Sequence, residues 1–214
     1  MIRVKKSHNA PSSLNTTSRY DGEDVKQQLL ADQNDKCYLC EKKRDTDFEI
    51  EHHKSTHNFP DLVQDWNNLY MGCGYCNRKK SDSFDNTLVP KDCNIEDEIE
   101  HFIDFANKKA VFLSKINDEQ HNETTELLSR IYNGTNQPRT TKEERFFEQA
   151  VSVMNRFTDL VMKYQESPTP ETAKAVRDEL SITKELLGFK YWIIKSDRTL
   201  SQVFAADIIW NKTA

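Results

Sequence analysis

The feature that most constrains the fold is a repeated Cys-x-x-Cys turn, CYLC at residues 37–40 and CGYC at residues 73–76. Each turn directs two sulfur atoms toward one point, and four thiolates are the usual ligand set of a closed tetrahedral zinc site. The N-terminal segment lacks the apolar stretch of a signal peptide, so we expect a reducing, cytoplasmic location in which disulfides are unfavourable. The sequence therefore predicts structural Zn²⁺ held by Cys37, Cys40, Cys73 and Cys76, with free thiols or redox chemistry as the alternative.

A zinc site with four cysteine ligands is full and leaves no open position for a catalytic water. Any chemistry in this region therefore needs a second metal or none. The fifth cysteine, Cys93, lies outside both pairs, and we expect it to be a small packed side chain.

Composition limits the kinds of partner. The 214 residues are 36% hydrophobic and 30% charged, with a formal net charge of -5. Such a chain has no general basic coat, so any contact with nucleic acid must be local. No apolar run approaches the roughly 18 residues that cross a bilayer, so we expect no membrane partner.

The chain divides by composition into three parts. Residues 1–20 are polar without periodicity and predict an extended arm, and residues 21–94 contain all five cysteines. A short helix over residues 21–35 is expected to lead into the first cysteine pair. Residues 95–214 are rich in helix formers. The predicted fold class is α+β, mainly helical, with a C-terminal helical region.

Within the C-terminal region, apolar spacing predicts a helix over residues 95–106 and leaves residues 108–116 as a strand or its continuation. A long helix over residues 141–166 is predicted, with Thr141 and Glu144 at capping-box spacing.

A further helix is predicted to begin at Thr169 and Pro170 and to end near Gly188. The tail, residues 189–211, is unusually apolar and must pack on this chain or on a partner.

The chemistry-bearing residues lie between and just after the cysteine pairs. Phe48 begins a short predicted strand that contains Glu51, His52 and His53, so Glu51 and His52 are expected on opposite faces. The segment WNNLYMGC contains Asn68 and leads into the second pair. Cys76 is followed directly by the sequence NRKK, the expected opening of a helix.

The combination of CYLC, IEHH and WNNLYMGCGYCNRKKSD resembles the HNH endonuclease motif in its zinc-supported form. The resemblance covers residues 37 to about 82. It implies a ββα-metal, treble-clef-like core in which two strands and a helix surround one divalent cation.

Carried over by position, the resemblance implies His52 as general base, Glu51 and Asn77 as ligands of a catalytic Mg²⁺ or Mn²⁺, and Asn68 as the residue that organises the loop. Imidazole suits proton transfer near neutral pH, and oxygen ligands suit a hard Lewis acid. Three residues are expected to contact nucleic-acid phosphates: Arg78, Lys79 and Lys80. His53 is the alternative base or a supporting residue, and His57 is expected on the loop surface.

Two positions depart from the common pattern of the family. Glu51 stands where an aspartate is commoner, which leaves its role less defined. Asn77 stands where many members have histidine, which changes metal preference more than reaction class.

The arm and the segment FPDLVQDWNNLYMGC also resemble HNH nucleases that accompany retrons or form the nuclease subunit of Septu-type anti-phage systems. That narrower resemblance implies a partner ATPase of the ABC-like or overcoming-lysogenization kind, docked on the helical C-terminal region. DNA is the expected substrate, and RNA stays open. The alternative function is a catalytically inactive zinc-finger-like binding module or adaptor; the presence of both His52 and Asn77 favours the nuclease.

Overall fold

The computed structural model describes residues 1–16, 19–43, 47–135 and 137–211. It shows a mixed α+β fold that is mainly helical, as the sequence predicts. The helices are α1 (Ser12–Thr16), α2 (Glu23–Gln33), α3 (Gly74–Lys80), α4 (Ile95–Glu98), α5 (Glu119–Asn133), α6 (Thr141–Glu166), α7 (Pro170–Glu179), α8 (Leu187–Ser196) and α9 (Arg198–Val203). The strands are β1 (Phe48–His52), β2 (Leu69–Cys73), β3 (Ile99–Asp104) and β4 (Lys109–Ser114).

The first hairpin and the helix after it carry the candidate site. Strands β1 and β2 pair antiparallel, with Glu51 opposite Tyr70 and His52 opposite Leu69. Their connection contains two short 3₁₀ turns, Pro60–Leu62 and Trp66–Asn68. Helix α3 begins at Gly74, directly after β2, so strand, strand and helix form one compact unit.

The prediction of a helix over residues 95–106 is wrong. Only the four residues of α4 are helical, and β3 and β4 then form a second antiparallel hairpin. Ile99 and His101 are buried whereas Phe102 is exposed, which is closer to the period of a strand than to that of a helix. The apolar spacing fitted a helix, but aromatic and β-branched side chains favour the pleated hairpin.

The long helix α6 has the predicted bounds, but its capping box lies one residue earlier than predicted. Thr140 is the N-cap, and the Glu143 side chain accepts from the Thr140 backbone N–H. The Thr169 cap of α7 is confirmed, with Pro170 as the first helical residue. That helix ends at Glu179, and Gly188 does not terminate a helix but is the second residue of α8.

One large core joins both halves of the sequence. It contains the four cysteines of the two turns, the inner faces of the β3–β4 hairpin and α5, and side chains from the apolar tail. Phe189, Tyr191, Leu200 and Phe204 of the tail are buried in this core, so much of the tail packs on its own chain. The arm is packed as well, since Met1 and Val4 are buried. Among the described helices, none combines the length and apolar content that a membrane span needs.

Candidate active site

The four cysteines of the two turns form a buried cluster. Their Sγ atoms all lie within 4.8 Å of one another. Cys73 ends β2 and Cys76 lies in the first turn of α3, while the first pair lies in the turn closed by the bridge between Lys36 and Lys43. This donor set fits a structural zinc ion and would tie the segment before β1 to the β2–α3 junction. Cys93 stays outside the cluster, and its Sγ donates to the Val89 carbonyl.

Glu51 lies on the face of β1 that packs toward α3. Its Oε1 is 2.8 Å from Nζ of Lys80, and its Oε2 accepts from the Tyr38 hydroxyl. Burial raises the pKa of the Glu51 carboxyl above its ordinary value, although Lys80 and Tyr38 act in the opposite direction. The carboxylate is therefore already engaged by two neighbours inside the protein.

His52 points away from Glu51, to the other face of β1, as strand alternation predicts. Its Nε2 lies 2.9 Å from the Val63 carbonyl oxygen, and its ring meets the edge of Tyr20 at a centroid distance of 4.7 Å. Because a carbonyl can only accept, Nε2 carries the proton in this contact and Nδ1 is the basic nitrogen. Burial lowers the pKa of His52, so the neutral imidazole is the favoured form near pH 7.

Asn68 holds the loop that presents Val63. Its Oδ1 accepts from the Lys54 backbone N–H at 2.7 Å, and its Nδ2 donates to the carbonyls of Lys54 and Leu62 at 3.0 and 3.2 Å. The side chain therefore bridges the end of β1 to the residue next to Val63. These are the contacts that a loop-organising asparagine would make.

Asn77, predicted as a metal ligand together with Glu51, contacts a different carboxylate of β1. Its Nδ2 donates to Oε2 of Glu49 at 2.7 Å. Glu49 lies two residues before Glu51 in β1 and so shares its face of the strand. In the described ranges, the four cysteines are the only group of three or more His, Cys, Asp or Glu side chains close enough to share an ion.

These contacts do not fit a catalytic divalent cation at Glu51 and Asn77. An ion could bind the Glu51 carboxylate only if the Lys80 ammonium and the Tyr38 hydroxyl moved away from the two carboxylate oxygens. An ion at Asn77 needs the amide to leave Glu49.

The three expected phosphate contacts have different surroundings. Arg78 is exposed, whereas Lys79 forms an ion pair with Glu143 of α6. Lys80 is fully buried and also donates to the His52 carbonyl at 2.9 Å. Of the three, only Arg78 presents its charge to solvent in this structure.

His53 is buried in the interior, and His57 is exposed, as expected for the loop surface. The Nε2 of His53 lies 3.1 Å from the Thr87 hydroxyl. Burial, with a smaller effect of Lys80, lowers the pKa of His53 to about 4. The side chain is thus a neutral interior group.

Several residues of the site were not predicted. Tyr38 contacts Glu51, and its position between the first two cysteines gave no sign of that contact. Asp85 accepts from the backbone and hydroxyl of Ser55 at 2.6 and 2.9 Å and lies 3.9 Å from Lys80. Glu49 could have been found, because strand alternation places it on the same face as Glu51.

Comparison with known proteins gives one partial match. A segment of 59 residues is 39% identical to the Septu protein PtuB of Bacillus thuringiensis. The match spans 26% of this chain and 23% of that protein, so the chain covers less than a quarter of its relative's length. No family model matches the chain.

Proposed function

We propose that this chain is an HNH endonuclease that hydrolyses phosphodiester bonds, with DNA as the first substrate to test. The observation that supports it best is the state of His52. Burial lowers the pKa of His52 and so favours the neutral ring, its Nε2 lies 2.9 Å from the Val63 carbonyl oxygen, and the loop behind it is held by Asn68. This leaves Nδ1 as the nitrogen that accepts a proton from water.

The order of two strands and a helix beside four cysteines supports the HNH resemblance, with His52 at the end of β1 and Asn77 in α3. In this proposal the zinc ion has a structural role only, because four sulfur ligands leave it no open position.

A requirement for Mg²⁺ or Mn²⁺, with Glu51 and Asn77 as ligands, rests on the resemblance alone. In the structure, the Glu51 carboxylate contacts Lys80 and Tyr38. The Asn77 amide contacts Glu49. The requirement can be tested, because zinc-loaded protein without added Mg²⁺ or Mn²⁺ should then not cleave.

We further propose that the nuclease is the effector of an anti-phage defence system controlled by an ATPase partner of the ABC-like or overcoming-lysogenization kind. The support is the partial match to the Septu protein PtuB. A groove of about 490 Å³ between the β3–β4 hairpin and α6 gives the helical region a surface for such a partner, with Ile103, Phe105, Phe147 and Val151 among its lining residues.

The alternative is a zinc-finger-like binding module or adaptor without catalysis. The engagement of Glu51 by Lys80 favours it, because a buried ion pair needs no external metal. The two functions differ in one measurable property, which is turnover of a phosphodiester bond.

The test incubates purified zinc-loaded protein with supercoiled plasmid and with a structured RNA, in Mg²⁺, in Mn²⁺ or without added divalent ion, with and without a co-expressed ATPase. The proposal expects ion-dependent cleavage of at least one substrate that His52→Ala abolishes. If wild type and variant leave every substrate equally intact, even with the ATPase present, the nuclease proposal is contradicted. The binding module is then the supported function.

A further inference from the structure

We propose that the start of helix α6, outside the HNH-like segment, binds the phosphodiester backbone of nucleic acid through Lys142 and Arg145. The inference rests on the proposed function, since it names where the substrate would lie. It begins from the basic segment after Cys76, where Lys79 and Lys80 are held by internal carboxylates. That segment is therefore short of the charge that a polyanion needs.

The carboxylate that holds Lys79 comes from α6 itself. Glu143 is buried, and although burial alone would raise its pKa, Lys79 and the Thr140 contacts lower the pKa of Glu143 to about 2. The residue before it, Lys142, and Arg145 two positions later are exposed. The first turns of α6 thus neutralise Lys79 of α3 through Glu143 and also expose two cations, Lys142 and Arg145.

Both cations line one groove. It has a volume of about 430 Å³ and also contains Tyr75 of α3, Phe146 of α6 and Asp47. Tyr75 and Phe146 stack with their ring centroids 4.3 Å apart, and both rings are buried. Because these rings are covered, the groove offers charge to a backbone rather than a stacking surface to bases.

The groove lies beside the candidate site. Tyr75 is two residues before Asn77 in α3, and the Asp47 carbonyl accepts from the Gly74 N–H at 3.1 Å. Arg78 is adjacent too, since a Cβ on Gly74 would lie 3.1 Å from its guanidinium and 2.9 Å from an Asp47 oxygen. A backbone in this groove would therefore continue past the exposed edge of α3 toward Asn77.

Charge balance favours a polyanion here. Within the described ranges, the groove is lined by two cations and one carboxylate, Asp47, in a chain whose net charge is -5. Local positive charge on an acidic protein attracts phosphate at short range and is screened by salt. Sequence-independent, salt-sensitive binding follows.

The experiment measures fluorescence anisotropy of a labelled 20-base-pair DNA duplex, and of an RNA duplex of the same length, with the zinc-loaded chain in buffer without added Mg²⁺ or Mn²⁺. The proposed nuclease is expected not to cleave without added Mg²⁺ or Mn²⁺, so binding is measured separately from activity. The variant Lys142→Ala with Arg145→Ala is compared with Arg156→Ala with Lys163→Ala, an exposed lysine and arginine farther along the same helix. Zinc content and melting temperature verify that both variants are folded.

We expect the first double variant to bind at least about tenfold more weakly and to lower the slope of log K against log salt by about 2, while the control stays within about twofold of wild type. A loss of affinity of about tenfold for DNA or for RNA supports nucleic-acid binding in the groove. The polymer for which affinity is lost is then the one that the groove binds. Wild-type affinity in the first variant, an equal loss in the control, or no binding by the wild type would overturn it. Binding through the groove, together with intact plasmid and RNA in the cleavage test with Mg²⁺ or Mn²⁺, would refute the nuclease alone.

Discussion

The Nζ atom of Lys80 lies 2.8 Å from Oε1 of Glu51, and both side chains are buried. The same ammonium donates to the His52 carbonyl oxygen at 2.9 Å. Lys80 of α3 therefore contacts both the Glu51 carboxylate and the backbone of the next residue of β1, His52. Arg78 and Lys79, the preceding basic residues, make no such contact with β1 in the described structure.

Lys80→Met should strongly destabilise the fold, because it leaves the buried Glu51 carboxylate without its cation. Breaking a buried ion pair from one side costs about 3–5 kcal/mol. Arg78→Ala, an exposed neighbour in the same helix, should change the free energy of unfolding by less than about 0.5 kcal/mol. Urea unfolding of zinc-loaded protein measures both, and equal stability of the two variants would show that the pair does not form.

Asn68→Ala should cost about 2–3 kcal/mol of stability, because it removes three hydrogen bonds and leaves buried backbone groups without partners. Asn67→Ala is the matched control, since the exposed Asn67 side chain contacts only Asp65 among the described hydrogen bonds. The free energy of unfolding and the cleavage rate are measured together. The expectation fails if both variants match wild type in stability.

Cys73→Ser should lose zinc and melt at a lower temperature, because it removes one of four ligands from a closed site. Cys93→Ser should keep one zinc ion per chain, since Cys93 lies outside the cluster. Elemental analysis of dialysed protein gives the stoichiometry. A full complement of zinc in Cys73→Ser would refute the four-cysteine site.

Stability should fall as pH rises through the pKa of His121. This ring lies between Asp118, 2.7 Å from Nδ1, and Glu98, 2.9 Å from Nε2. Burial lowers the pKa of His121, but the two carboxylates outweigh it and raise the pKa above the ordinary 6.5.

Because the folded pKa is the higher one, this stabilisation is fully present below about pH 6.5 and is lost as pH rises through the folded-state value. Urea unfolding across this window should show a steeper decline for wild type and for the exposed-site control His57→Gln than for His121→Gln. Parallel profiles in all three would contradict the role of His121.

Much of the candidate site could be predicted from local sequence. The cysteine spacing specified the cluster, and strand alternation placed Glu51 and His52 on opposite faces of β1. The 3.6-residue period identified α6 because a 26-residue helix repeats its pattern many times.

The rest depended on contacts between distant segments. The apolar spacing of residues 95–106 fits a helix, but residues 99–104 pair with residues 109–114 in a hairpin. That pairing cannot be predicted from the spacing of one segment. Lys80 pairs with Glu51 and Lys79 pairs with Glu143, both distant in the sequence, so neither ion pair could be predicted from the basic segment alone. The Asn77 contact with Glu49 likewise depends on how α3 packs against β1.

We propose that His52 accepts the proton in phosphodiester hydrolysis, and the adjacent His53 provides a matched control for that role. Single-turnover cleavage is measured for His52→Ala and His53→Ala at equal concentrations of folded, zinc-loaded protein. We expect His52→Ala to slow cleavage by about 10²–10⁴-fold, whereas His53→Ala should keep a rate within about tenfold of wild type. A wild-type rate in His52→Ala, or the larger loss in His53→Ala, would contradict it.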